Sequence, residues 1–181
     1  MQKSKEKIDD IFGKNTINLL TVARLVPQKA IDRIIKVHKR LIDDRINHKF
    51  YVIGDGPEKD KLVKYIKEQN LEDSFFLLGK KENPYPYIKN ADYFCLLSKF
   101  EGYGMVLEEA KILQKPIIIT DTAAREAVKN YKNSWILENT EEGIYIGLKE
   151  IITNNINTEN NDNLAYDNSS ILEEIKELIE S

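Results

Sequence analysis

Short runs of aliphatic and β-branched residues alternate along this chain with stretches whose apolar positions recur every three or four residues. The first run, 17–25 (INLLTVARL), lies between an asparagine and Pro27 and predicts a buried strand. From Lys29 onward Ile31, Ile34, Ile35, His38, Leu41 and Ile42 fall on one helical face, which predicts a helix over 29–44. Further strand-like runs occupy 49–56, 74–79, 92–98 and 115–121, with a short one at 134–138. Helical patterns fill the intervals: 58–69 behind Pro57, a short one around 87–90, then 104–114, 124–129 and 140–152. No hairpin turn joins any two strands. Strand–helix alternation of this kind predicts a parallel, doubly wound α/β sheet of about six strands with helices on both faces.

The margins read differently. Residues 1–16 alternate lysines with acidic side chains, carry Ile8, Ile11 and Phe12, and predict a tail or linker, at most a short amphipathic helix. The α/β domain then runs over 17–152. An Asn-rich loop is expected at 153–168, followed by an amphipathic helix at 169–181.

Composition narrows the class. The 181 residues suit one domain with a sizeable core, and 41% hydrophobic with 31% charged residues fits a globular chain. A net charge of −3 with both signs interspersed gives no support for nucleic-acid binding. No run is long enough to span a bilayer, and the N-terminal segment lacks the apolar core of a signal peptide. Cys95 is the one cysteine and excludes an internal disulfide, which points to a reducing, cytoplasmic compartment. His38 and His48, with that cysteine, make no metal-ligand set and are expected to be structural.

In a doubly wound sheet, ligands bind beyond the carboxyl ends of the strands, near the point where strand order reverses. The most suggestive stretch there is 98–113 (SKFEGYGMVLEEAKIL), a strand end, a loop with Gly102 and Gly104, and a helix. Backbone N–H groups at such a helix start have no partner within the helix and carry the positive end of its dipole, so the junction suits an anion. Glu109, a turn or more inside the helix, suits neutral hydroxyls beside that anion, a pairing that suggests a nucleotide or nucleotide-sugar. Arg24 and Lys29 after the first strand, Gly54 after the second, and Gly79 with Lys80 after the third converge on the same edge. A guanidinium fork and an ammonium there would neutralise a diphosphate.

Other chemistries fit less well. Gly54-Asp55-Gly56 begins a G-x-G-x-x-G pattern, but Lys59 stands at its third glycine, and no glycine-rich turn follows the first strand, so hydride transfer is not expected. There is no Walker A sequence and no G-x-S-x-G. Asp121 after the fifth strand reads as a helix cap, alongside Thr122, before it reads as a site residue.

Five blocks, ARLVPQK (23–29), IGDGP (53–57), FLLGK (76–80), ADYFCLLSKFEGYGMVLEEA (91–110) and KPIIITD (115–121), resemble in order and spacing the donor-binding half of family 4 glycosyltransferases with the GT-B fold. The resemblance covers about 17–152 and implies a Rossmann-like domain, one half of a GT-B enzyme. It implies a retaining, metal-independent transfer of a sugar from a nucleoside-diphosphate sugar, the donor being a substrate and no cofactor being needed. Arg24, Lys29 and Glu101 are then the catalytic set, the two cations on the diphosphate and Glu101 on the transferred sugar. Gly102, Tyr103, Gly104, Met105 and Val106 would meet sugar and phosphate, Glu109 the ribose, Gly54 a close backbone approach, and Gly79 with Lys80 the base. The resemblance departs at Ala23, Ala30, Thr122, Ala123, Ala124 and Ser134, where the family favours glycine.

An acceptor-binding half would precede residue 1 or come from a partner subunit, any membrane contact being peripheral and made through that half. This chain alone would then be inactive. A glycan or glycolipid is the expected acceptor class. Two other readings stay open: a non-catalytic nucleotide-sugar-binding or interaction module of the same fold, and half of a sugar-nucleotide epimerase.

Overall fold

The computed structural model describes Ile8 and residues 11–154. The loop and helix expected over 155–181 lie outside the described residues. Six strands, β1 (Ile17–Val22), β2 (His48–Ile53), β3 (Phe75–Gly79), β4 (Tyr93–Leu96), β5 (Ile117–Thr120) and β6 (Ser134–Leu137), form one sheet in the order β3-β2-β1-β4-β5-β6. Every neighbouring pair is parallel. The helices are α1 (Ile31–Asp43), α2 (Lys59–Glu68), α3 (Tyr85–Asn90), α4 (Met105–Ile112), α5 (Arg125–Val128) and α6 (Glu141–Thr153).

Residues of α1, α2 and α6 share one core cluster with Leu19, Phe50 and Val52, while those of α3, α4 and α5 share a second with Leu20, Tyr51 and Phe94. Leu19 and Leu20 thus serve opposite faces, and with both faces covered the strands have no polar side to alternate with. This is why their sequences read as continuous apolar runs. Strand order places β1 and β4 side by side as the chain reverses its direction of travel, from β1 out to β3 and from β4 out to β6. The crevice beyond their carboxyl ends is the switch point of the fold.

Two local differences from the sequence expectations matter. The helix expected from residue 29 begins at Ile31; Pro27–Lys29 form a 3₁₀ turn, and Ala30 joins the two with φ 51° in the left-handed region. A glycine would adopt that conformation without the steric penalty of a Cβ, which accounts for the glycine the family favours and leaves Ala30 carrying that penalty. Phe12, within the expected tail or linker, is buried edge-on against Tyr51 with ring centroids 4.8 Å apart. Tyr51 Oη also accepts a hydrogen bond from the Gly13 amide at 3.1 Å, which draws this segment onto the sheet.

His38 and His48 are packed core groups, their rings edge-to-face at 4.4 Å. His38 Nε2 lies 2.9 Å from Ser74 Oγ, and His48 Nδ1 lies 2.9 Å from the Ile46 carbonyl. Among the described residues no group of three or more His, Cys, Asp or Glu is placed to hold a metal ion. Nor is any described helix long and apolar enough to cross a membrane.

Candidate donor-binding cleft

A cleft of about 640 Å³ opens at the switch point. Its walls bring together Arg24 and Lys29 from the segment after β1, Gly54 after β2, Lys80 after β3, and Glu101, Gly104, Met105 and Val106 from the loop and helix after β4. These eight are residues the sequence singled out. Such a volume lies within the few hundred to about a thousand Å³ typical of small-molecule sites.

The other four stand around the cleft without lining it. Gly79, with φ 71°, accepts a hydrogen bond from the Gly54 amide at 3.0 Å and so ties β3 to the cleft floor. Gly102 and Tyr103 are exposed on the rim, and Tyr103 Oη donates to Glu108 Oε1 at 2.9 Å. Glu109 is half-buried one helical turn beyond Met105, on the side of α4 that Met105 presents to the cleft. Burial raises its carboxyl above the ordinary value, and a hydrogen bond from Tyr85 opposes the rise. Tyr85 directly follows Pro84, which lines the cleft, so Glu109 flanks the Pro84 end.

Local geometry explains why the edge is open. α4 starts at Gly104, in the left-handed region at φ 71°, and has no side-chain cap. By contrast α6 is capped by Thr140, whose hydroxyl accepts from the Gly143 amide at 2.9 Å. The first N–H groups of α4 therefore have no capping side chain, and Met105 and Val106, which carry them, line the cleft. Gly54, at φ 147°, makes a close backbone approach: a Cβ there would sit 1.9 Å from the Ala23 carbonyl oxygen. Its close approach is to the chain after β1 and brings the two loops into one wall.

Lys29 and Glu101 form an ion pair across the switch point, their side chains 19% and 13% exposed. Ser98 Oγ donates to the same carboxylate oxygen of Glu101 at 3.1 Å. Lys29 terminates a 3₁₀ turn, and its charge is answered by Glu101. Arg24 is exposed at the cleft mouth. Asp121 does not line the cleft and pairs with Arg125 at 3.1 Å.

Sequence reasoning missed Lys81 and Pro84, which also line the cleft, as does Asp55 beside Gly54. Lys81 could have been found as the neighbour of Lys80 after a strand, and its Nζ lies 5.4 Å from the centre of the Tyr87 ring. Four cations thus face two carboxylates, and a bare helix start completes the wall. An arrangement of this kind is suited to a phosphorylated ligand of about two negative charges.

Fold and cleft together define a doubly wound α/β domain with a crevice at its switch point that is lined by four cationic side chains. The sequence profile of the glycosyl transferases group 1 matches residues 3–168, and the chain belongs to that family. It is 31% identical over 120 residues to the poly(ribitol-phosphate) alpha-N-acetylglucosaminyltransferase of Staphylococcus aureus (strain COL), covering 65% of this chain and 24% of that protein. With an N-acetylgalactosamine-N,N'-diacetylbacillosaminyl-diphospho-undecaprenol 4-alpha-N-acetylgalactosaminyltransferase of Campylobacter jejuni it shares 32% over 151 residues, 82% of this chain and 40% of the other. Among solved structures, TarM superposes with a TM-score of 0.71 at 25% identity, covering 93% of this chain and 36% of that one. A TarM variant from S. aureus in complex with UDP gives 0.65 at 26%, over 93% and 37%. The chain therefore spans roughly a quarter to two-fifths of the length of these proteins.

Proposed function

We propose that this chain binds a nucleoside-diphosphate sugar in the switch-point cleft and supplies the donor half of a glycosyl transfer. The observation that carries the reading is the convergence of Arg24, Lys29, Lys80 and Lys81 with the uncapped start of α4 in one cleft. Uridine diphosphate is the nucleotide we assign, because the TarM variant was solved with it. An N-acetylhexosamine is the sugar class we assign, because both named relatives transfer one.

In this reading Arg24 and Lys29 hold the diphosphate, and the Met105 and Val106 amides add fixed donors to its oxygens. As the bond from the anomeric carbon to the β-phosphate oxygen breaks, negative charge grows on that oxygen. Donors already aimed at it stabilise the transition state more than the ground state. Glu101 contacts hydroxyls of the transferred sugar, with Lys29 and Ser98 fixing its carboxylate. Glu109, steadied by Tyr85, takes the ribose diol. The step is assigned as retaining and metal-independent, with the sugar passing to a glycan or glycolipid acceptor held by a second half in the same protein or a partner subunit.

Transfer from UDP-N-acetylhexosamines, with the acceptor half present, is the deciding experiment. Donor turnover lost on Glu101→Ala with UDP binding retained supports the reading. Unchanged turnover contradicts it.

A further inference from the structure

The loop that carries Glu101 leaves the sheet after Leu96, yet each residue on the way to the carboxylate is held. The Leu97 carbonyl accepts from Arg33 Nη2 at 2.9 Å, and the Ser98 carbonyl from Thr120 Oγ1 at 2.7 Å. The Lys99 amide donates to the Gln28 carbonyl at 3.0 Å, and the Lys99 carbonyl accepts from Asn139 Nδ2 at 2.9 Å. The Phe100 carbonyl accepts from Gln28 Nε2 at 3.0 Å. Arg33 and Asn139 act as one unit. The same Nη2 that holds Leu97 lies 2.9 Å from Asn139 Oδ1, which turns the amide so that its nitrogen meets Lys99.

Sheet architecture alone does not call for this arrangement. Arg33 is 9% exposed on α1, and burial lowers its guanidinium pKa, with Asp32 and Glu141 opposing the shift. A guanidinium is costly to bury unless its donors are used. Here Nη2 serves both the loop, at Leu97, and the segment just before α6, at Asn139, while Nε is buried without a partner.

We propose that Arg33 and Asn139 are positioning residues, an internal clamp that fixes the backbone of 97–99 and so presents the Glu101 carboxylate to the transferred sugar. The inference rests on the donor reading of the cleft. Its consequence is selective: Glu101 serves the sugar, whereas diphosphate and ribose are held by groups outside the clamped loop. Loosening the clamp weakens the hold on the sugar and leaves the hold on the nucleotide.

The test titrates UDP and the tighter of UDP-N-acetylglucosamine and UDP-N-acetylgalactosamine into the 181-residue chain and two variants. Asn139→Ala removes both contacts of the amide, and Asn139→Asp keeps an acceptor for Arg33 while losing the donor to Lys99. Hydrogen exchange over 97–101 is followed in parallel, without ligand. Both variants are expected to weaken the sugar nucleotide relative to UDP by about fivefold or more, the scale of one lost hydrogen bond, with UDP itself held as well as before or, where Lys29 is released from Glu101, more tightly. Exchange of the Lys99 amide, which donates to the Gln28 carbonyl, should rise while the strand amides keep their protection. Equal weakening of the two ligands, or no change in either, overturns the clamp. So does unchanged exchange, even where UDP binds as proposed. Failure of the unaltered chain to bind either ligand overturns the donor reading, and this assignment with it.

Discussion

Lys29 and Glu101 close an ion pair across the switch point, joining the turn after β1 to the loop after β4. Both side chains are largely shielded, so the attraction between them is screened less than at an open surface. In the proposed function an incoming diphosphate would share Lys29 with a carboxylate already in contact. Glu101→Gln frees the ammonium and removes a negative charge from beside the phosphates. We expect this variant to bind UDP more tightly, by about three- to tenfold, while sugar transfer falls by a hundredfold or more, on the order of losing one transition-state contact. Calorimetric titration and a transfer assay on the same preparation check the opposite signs. Loss of UDP affinity in Glu101→Gln would count against this view of the pair.

Glu109 carries a pH signature. Burial holds its carboxyl above the ordinary value of 4.5, and the Tyr85 hydroxyl pulls it back. Tyr85→Phe removes the restraining bond, so the pKa rises further and the protonated form appears at a higher pH. A protonated Glu109 accepts fewer hydrogen bonds from the ribose diol. UDP binding in Tyr85→Phe should therefore weaken on acidification earlier than in the unaltered chain, with the two curves converging at neutral pH and above. Superimposable curves between about pH 4 and 7, the range in which a raised carboxyl titrates, would separate Tyr85 from Glu109.

Glycines around the cleft are predicted to differ sharply in tolerance. Gly54→Ala would bring a methyl to 1.9 Å from the Ala23 carbonyl oxygen at a backbone angle that side chains rarely adopt. We expect a loss of about 3 kcal/mol or more in denaturant unfolding. At Gly102 nothing lies within 4 Å of an added Cβ, and Gly102→Ala should stay within about 0.5 kcal/mol. Similar costs at the two positions would show that the Gly54–Ala23 approach is not what holds the loops together.

The fold was legible because both faces of the sheet are buried, leaving apolar runs separated by amphipathic helices. Leu19 and Leu20 show it directly, one on each side. The cleft was legible as far as charge and glycine placement after strands could indicate, which covered Arg24, Lys29, Gly54, Lys80, Glu101, Gly104, Met105 and Val106. What sequence could not supply was pairing across long separations. Lys29 with Glu101 spans 72 positions, and Arg33 with Asn139 spans 106. Neither distance leaves a periodicity to read. Ala30 was visible only as a departure from a family pattern, and its left-handed backbone shows why glycine is favoured there.

His38 gives a stability prediction independent of any ligand. Burial first, and the neighbouring His48 second, lower its pKa from 6.5 to about 2. Above pH 6.5 folded and unfolded chains are both neutral at this ring, and it adds no pH dependence. Below it the unfolded chain takes up a proton that the folded chain does not, so stability falls as pH drops from about 6.5 towards 2. The slope from His38 is at most about 1.4 kcal/mol per pH unit. Denaturant unfolding at pH 7, 6 and 5 should show the decline, and His38→Gln should flatten it. An equal slope in both chains would assign the acid sensitivity elsewhere.

The central claim is that the cations at the switch point grip a diphosphate. Parallel titration of UDP and uridine into the unaltered chain and into Lys29→Met tests it most directly. The account predicts UDP binding at concentrations below about 1 mM, a loss of tenfold or more in Lys29→Met, and uridine binding that is weak and insensitive to the substitution. UDP held no better than uridine, or held equally well without Lys29, would contradict it.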